Sequence, residues 1–241
     1  PIFYVASDTR GSASDTPNYL TAAGGKLFFS ALNSAGLSKL HVIDTADALS
    51  VVSNTYSGSH DDPSQIFAFG SYVYFRSYLT ATNYKLYQYR PADLTNRQIS
   101  NTRQSLTTGG SDVITSPVVM GSYAYFAAQN SSNMTKLYRM STDGAAITQV
   151  GDIRGSATVT DGITSLIVFN NNVYFIAGTA SSNTYTKIWR FDGTNMILVT
   201  NTRASLTVAD TPASMTVFNN KLYFSSLNAA GFRKLYAIDT S

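Results

Sequence analysis

One pattern of apolar and polar positions recurs along the chain. Leu27-Phe28-Phe29, Val73-Tyr74-Phe75, Ala124-Tyr125-Phe126, Val173-Tyr174-Phe175 and Leu222-Tyr223-Phe224 form a single column. Their last phenylalanines are spaced by 46, 51, 49 and 49 residues, and the wrap-around interval from Phe224 through the termini to Phe29 is 46. The five intervals total 241, the whole chain. A fixed period of this size marks a repeat architecture. Each unit reads as four strands, shown by the fourth: Ser165–Phe169, a turn at Asn170-Asn171-Asn172, Val173–Ile176, Lys187–Phe191 and Met196–Thr202. Turn residues that tolerate positive φ join the first two strands: Gly24-Gly25, Gly70-Ser71, Gly121-Ser122, Asn171-Asn172 and Asn219-Asn220. The second strand is apolar on both faces, with Leu222 and Phe224 on one and Tyr223 on the other. That suits a strand between two neighbouring sheets better than one with a wet face.

The pattern predicts an all-β, five-bladed β-propeller with four antiparallel strands per blade. The blades fall at about 17–57, 63–104, 113–155, 162–204 and 212–241 plus 1–10, forming a single domain over 1–241. The last unit has three strands before Ser241, so Ile2-Phe3-Tyr4-Val5-Ala6 is expected to complete its sheet against Lys234–Ile238. With no methionine ahead of Pro1, the chain reads as a piece of something longer.

Composition narrows the chemistry. The absence of cysteine excludes disulfides and zinc-thiolate sites. The 14 acidic residues are all aspartate, so the glutamate general acid of many glycosidases is missing and no enzyme is expected. A net charge of +3 built from few charges is not the basic stripe of a nucleic-acid binder, and no run matches a membrane helix. Neither cofactor nor metal is expected.

Propeller geometry puts long loops on one side: 33–38, 78–84, 129–135, 178–186 and 228–233, with the blade connections 105–112 and 205–210. Their aromatics (Tyr78, Tyr84, Tyr185, Phe232) among Ser, Thr and Asn suit a sugar's apolar face and polar rim. The fourth strands end in a repeated Asn/Asp-x-Arg/Tyr step, opened by Asp8, Asn54, Asn101, Asp152 and Asn201 and closed by Arg10, Tyr56, Arg103, Arg154 and Arg203. An arginine fork would grip an anionic glycan; alternatively each pairs with a recurring aspartate at 15, 61 or 62, 112, 161 and 210, and is architectural. Lysine opens every third strand: Lys39, Lys85, Lys136, Lys187 and Lys234. The candidate ligand-binding residues are therefore Arg10, Tyr56, Tyr84, Arg103, Arg154, Tyr185, Arg203 and Phe232. His41 shares a column with Tyr87, Tyr138, Trp189 and Tyr236 and is expected to be a packing residue, while His60 lies beside Asp61 and Asp62 without further metal ligands. Asn130 and Asn133 begin glycosylation sequons.

Lys187-Ile188-Trp189-Arg190-Phe191-Asp192-Gly193-Thr194 resembles the ELWxxDGT repeat of secreted or surface-attached bacterial proteins, with lysine replacing the glutamate. The resemblance implies a β-propeller in an extracellular setting and supplies no catalytic residues. Five blades in this length are also similar in architecture to tachylectin-type lectins. The expected function is a non-catalytic glycan-binding lectin or adhesin domain, whose partner is a carbohydrate or cell-surface glycan. The alternative is a protein-binding or structural head of a larger multidomain or fibrous protein; a glycoside hydrolase ranks below both.

Overall fold

The computed structural model describes residues 4–91, 94–103 and 110–239. Among these the chain is all-β, and it divides into two compact units, Pro1–Ile114 with Asp143–Ala145, and Thr115–Thr142 with Ala146–Ser241.

The first unit holds two antiparallel four-stranded sheets. One comprises β1 (Asn18–Ala23), β2 (Lys26–Leu32), β3 (Ser38–Ile43) and β4 (Leu49–Val51); the other β5 (Ser64–Phe69), β6 (Tyr72–Thr80), β7 (Asn83–Arg90) and β8 (Thr95–Gln98). The second unit holds β9 (Thr115–Met120), β10 (Tyr123–Gln129), β11 (Thr135–Ser141) and β12 (Ile147–Gln149), then β13 (Thr164–Phe169), β14 (Asn172–Ala177), β15 (Lys187–Phe191) and β16 (Met196–Leu198). Its last sheet has three strands, β17 (Ala213–Phe218), β18 (Lys221–Leu227) and β19 (Arg233–Asp239).

Turn chemistry explains the first hairpin of every sheet. Gly24 and Gly25, Asn170 and Asn171, and Asn219 and Asn220 all have positive φ, while Gly70 and Gly121 do so at the first turn position. Such turns match the right-handed twist of the strands they join. In the fourth sheet Phe169 pairs with Asn172, so the turn is Asn170-Asn171 and Asn172 already belongs to β14. Across the next pair of strands the two aromatic columns meet in register: Phe29 with His41, Phe75 with Tyr87, Phe126 with Tyr138, Phe175 with Trp189, and Phe224 with Tyr236. Four of these pairs stack with ring centroids 5.6–6.3 Å apart.

The second strands of the first four sheets are buried on both faces, as the apolar pattern requires; in β18 Leu222 and Phe224 are buried, but Tyr223 on the opposite face is only partly so. In the first unit Phe28, Leu40 and Val42 pack with Val73, Phe75 and Tyr87. In the second, Val173 and Phe175 of β14 join the cluster of Tyr125 and Leu137, while Tyr174 joins that of Leu222 and Phe224. Each such aromatic contributes about 1.5–3 kcal/mol by leaving water.

Three expectations are corrected. Tyr4 to Ala6 form no strand, and Tyr4 and Val5 are 70% and 83% exposed; Ile2 and Phe3 lie outside the described residues. Such a closing strand has no hairpin turn to position it, and its pairing spans almost the whole chain, where loop closure costs most. The fourth strand of the fourth unit stops at Leu198, because the chain then turns to deliver its backbone N–H groups to a buried aspartate. Finally, residues 78–84 are not a loop: Tyr78 pairs with Tyr84 across β6 and β7, their rings 3.9 Å apart, leaving only a two-residue turn after Thr80.

Candidate functional site

Three of the recurring polar columns converge on one structural device. Lysine from the third strand, Asn or Asp from the end of the fourth, and aspartate from the following connection form a buried latch. Lys39 Nζ donates to Asp61 Oδ1 at 2.9 Å and to Asn54 Oδ1 at 3.2 Å. Lys85 donates to Asp112 at 2.9 Å and to Asn101 at 3.5 Å. Lys136 reaches Asp161 at 3.1 Å and also Asp152, and Lys187 reaches Asp210 at 2.6 Å and Asn201 at 3.2 Å. The four connection aspartates are fully buried.

Each carboxylate also organises the backbone before it. Asp61 accepts from Thr55 N, Tyr56 N and Ser53 Oγ; Asp112 from Arg103 N and Ser100 Oγ; Asp161 from Ile153 N and Arg154 N; Asp210 from Thr202 N and Arg203 N. Buried charges persist when paired and hydrogen-bonded in this way. Lys136 sits between two carboxylates. Burial raises the pKa of both, but at Asp152 Lys136 outweighs it and the net value is lowered, whereas at Asp161 burial dominates and the value is raised. The fifth set is represented by Asp15, which accepts from Thr9 N at 3.0 Å and Ser7 Oγ at 3.3 Å.

Four of the five aspartates thus pair with lysine side chains, whereas Lys234, the fifth lysine of the column, is exposed; what the last position of the Asn/Asp-x-Arg/Tyr step contributes to the four is its backbone N–H. Two of the guanidinium groups contact carbonyls, Arg10 that of Ser14 at 3.1 Å and Arg154 those of Thr160 and Ser181 at 3.5 and 3.4 Å, while the Nε atoms of Arg10, Arg103 and Arg154 are buried without a hydrogen-bond partner among the described residues. The loops are likewise internally tied, since Asn33, Asn130 and Asn228 side chains accept backbone N–H bonds across them. Asn130 further donates to Ala157 O, so its amide is engaged at both ends. Tyr185 is partly buried and Phe232 is 65% exposed.

A different set of residues lines an open cleft of about 480 Å³ in the first unit. Asn18, Tyr19, Ser30, Leu32 and Ser38 come from the first sheet; His60, Asp62 and Pro63 from the connection; Ser64, Arg76 and Tyr84 from the second sheet. Of the eight residues singled out from the sequence, Tyr84 alone lines it. Arg76 is fixed by two contacts: its Nε donates to Ser64 Oγ at 3.0 Å, and its guanidinium carbon lies 4.8 Å from the centroid of the Tyr84 ring. Burial, reinforced by the hydrogen bond Tyr84 donates to Tyr78, pushes the Tyr84 hydroxyl up to about 12, so it stays neutral. His60 Nδ1 accepts from Ser38 N at 3.1 Å. That nitrogen therefore carries no proton, its 3.9 Å approach to Asp62 is not an ion pair, and Nε2–H is the donor of the ring.

Arg76 is inconspicuous in the sequence because it sits inside the repeat column. The signal was its departure from that column, where the other units carry Ser30, Ala127, Ile176 and Ser225. His41 is buried against Phe29 as its column predicts; burial holds its imidazole below the ordinary 6.5, against an opposing hydrogen bond to Lys39 O. Among the described residues, no group of three or more His, Cys, Asp or Glu side chains is arranged to hold a metal.

No protein-family model matches the chain, and no curated protein matches it. Solved structures do. The chain is similar to a puromycin-hydrolyzing peptidase of Mycobacterium tuberculosis at 12% identity and TM-score 0.59, covering 93% of this chain and 36% of that one. It is similar to the β-propeller domain of the Trilobed protease from Pyrococcus furiosus at 8% identity and TM-score 0.57, covering 93% and 67%. The fold is a β-propeller. TolB from Acinetobacter baumannii aligns at 13% identity and TM-score 0.50, covering 93% of this chain and 55% of its own. This propeller therefore spans about half of TolB and about a third of the peptidase.

Proposed function

We propose that the chain is a non-catalytic protein-binding propeller, a recognition or structural module of a larger protein. The observation that carries this reading is a division of labour. The repeated lysines and aspartates of four sets are taken up by latches, while four polar or aromatic residues that do not repeat, Arg76, His60, Asp62 and Tyr84, line one cleft of the first unit. An open polar cleft on a rigid sheet scaffold is a place for a partner segment to dock. The similarity to propellers within larger proteins supports the same reading, TolB and peptidases among them. Carbohydrate recognition has less to draw on, because the arginine column contributes backbone to the latches and the Asn-led loops satisfy their own hydrogen bonds.

Parallel screening of the folded protein on a glycan array and a peptide library tests this. Peptide binders whose amide shift perturbations centre on Ser38, His60 and Arg76 are the expected result. Glycan binders and an empty peptide screen reverse the ranking.

A further inference from the structure

We infer that the cleft of the first unit recognises a peptide carboxylate, with Arg76 as the group that grips it. The inference deepens the protein-binding reading and rests on it.

Arg76 is the one charged residue in its column, where the corresponding positions hold serine, alanine or isoleucine. Those positions face the first strand of their own sheet: Ser30 pairs with Asn18, Ala127 with Thr115, Ile176 with Thr164 and Ser225 with Ala213. Arg76 pairs with Ser64 in the same way, so the backbone required no arginine there. Placing a guanidinium at this position loses side-chain entropy and some hydration. Among the described residues, no carboxylate forms an ion pair with it. Its Nε is occupied by Ser64 Oγ and one face is covered by Tyr84, which fixes the plane of the fork. A planar fork held at its base presents its remaining N–H donors to a planar acceptor, and a carboxylate matches it with two parallel hydrogen bonds.

The surroundings suit a peptide. His60 Nε2–H, Asn18 and Ser38 offer polar contacts, and Tyr19, Leu32, Pro63 and Tyr84 offer apolar surface for the side chains flanking the acidic group. Asp62, 47% exposed in its side chain, sits on the same cleft. It disfavours a second negative charge and selects a ligand with one carboxylate beside neutral or basic groups.

Two peptide sources supply that chemistry: a free C-terminus and an acidic side chain. The test uses four synthetic hexapeptide libraries, with a C-terminal carboxylate or carboxamide, each built with or without Asp and Glu. Binders are expected in the arms that carry a carboxylate, and the arm that yields them names the source. Their affinity is expected to fall at least tenfold in Arg76→Gln and partly to recover in Arg76→Lys, which keeps the charge but not the fork. Melting curves of both variants should match the parent, because Arg76 belongs to no latch. Equal selection from the acid-free carboxamide library, or undiminished binding by Arg76→Gln, overturns the carboxylate assignment and leaves protein binding standing. No binders from any arm overturns both. A large drop in melting temperature for Arg76→Gln and Arg76→Lys alike makes Arg76 architectural, and the assignment falls.

Discussion

Lysine and arginine carry the same charge in this protein and are used in opposite ways. The latch lysines reach a carboxylate from a buried strand position, where a compact ammonium fits between Asp, Asn and backbone carbonyls. Removing the cation strands the anion. Lys85→Met leaves Asp112 buried without its counter-charge, a defect worth roughly 3–5 kcal/mol and a fall in melting temperature of roughly 6–20 °C. Replacing both partners by apolar residues should cost less than removing either one, which a double-mutant cycle will show. His41 supplies a second test at this scale. Its folded pKa lies below the unfolded value near 6.5, so on acidification the unfolded chain takes up a proton that the buried ring refuses. Stability is therefore full above pH 6.5 and declines as pH falls from there towards the folded pKa. His41→Tyr, the residue found in the same column of three other sheets, should flatten that decline in denaturant melts at pH 5 and 7. The lysine, aspartate and asparagine columns were all visible in the sequence; their mutual pairing was not. Arginine lies nearer the aspartate along the chain, and only the folded strands show that its backbone, not its side chain, is what arrives.

Hairpins were the most legible elements, because their determinants lie within a few residues of one another. Glycine and asparagine at the turns have φ values that other residues adopt at a cost of about 1–2 kcal/mol. Asn171→Val should therefore destabilise by about that amount, while Asn171→Gly should leave chemical-denaturation midpoints nearly unchanged. The irregularity of the first strands was not legible. Tyr19, Gln65, Ser116, Ser165 and Ser214 all have positive φ, each where the strand slips register against the next. Nothing in tyrosine, glutamine or serine announces a bulge; the latch just before it and the packing after it impose the conformation. Residues 78–84 misled for a related reason. Their polar tip looks like a loop, but stacking of Tyr78 on Tyr84 outweighs local preference and carries the ladder two residues further.

At the scale of the molecule, repetition separates what holds the fold from what distinguishes this protein. Periodic spacing exposed the all-β architecture and the repeated sheets, since burial on both faces writes itself into the second strand of four of the five sheets. It concealed the cleft, because a search for recurrence discards the single unit that deviates. The same logic ranks every polar residue: those shared by the sheets should govern stability, and those peculiar to one sheet should govern recognition. The most direct measurement is side-by-side thermal melting of Lys85→Met, Asp210→Asn, Arg76→Gln and His60→Ala. The account predicts that the first two melt well below the parent and the last two melt with it. Stable latch variants alongside unfolded cleft variants would contradict it.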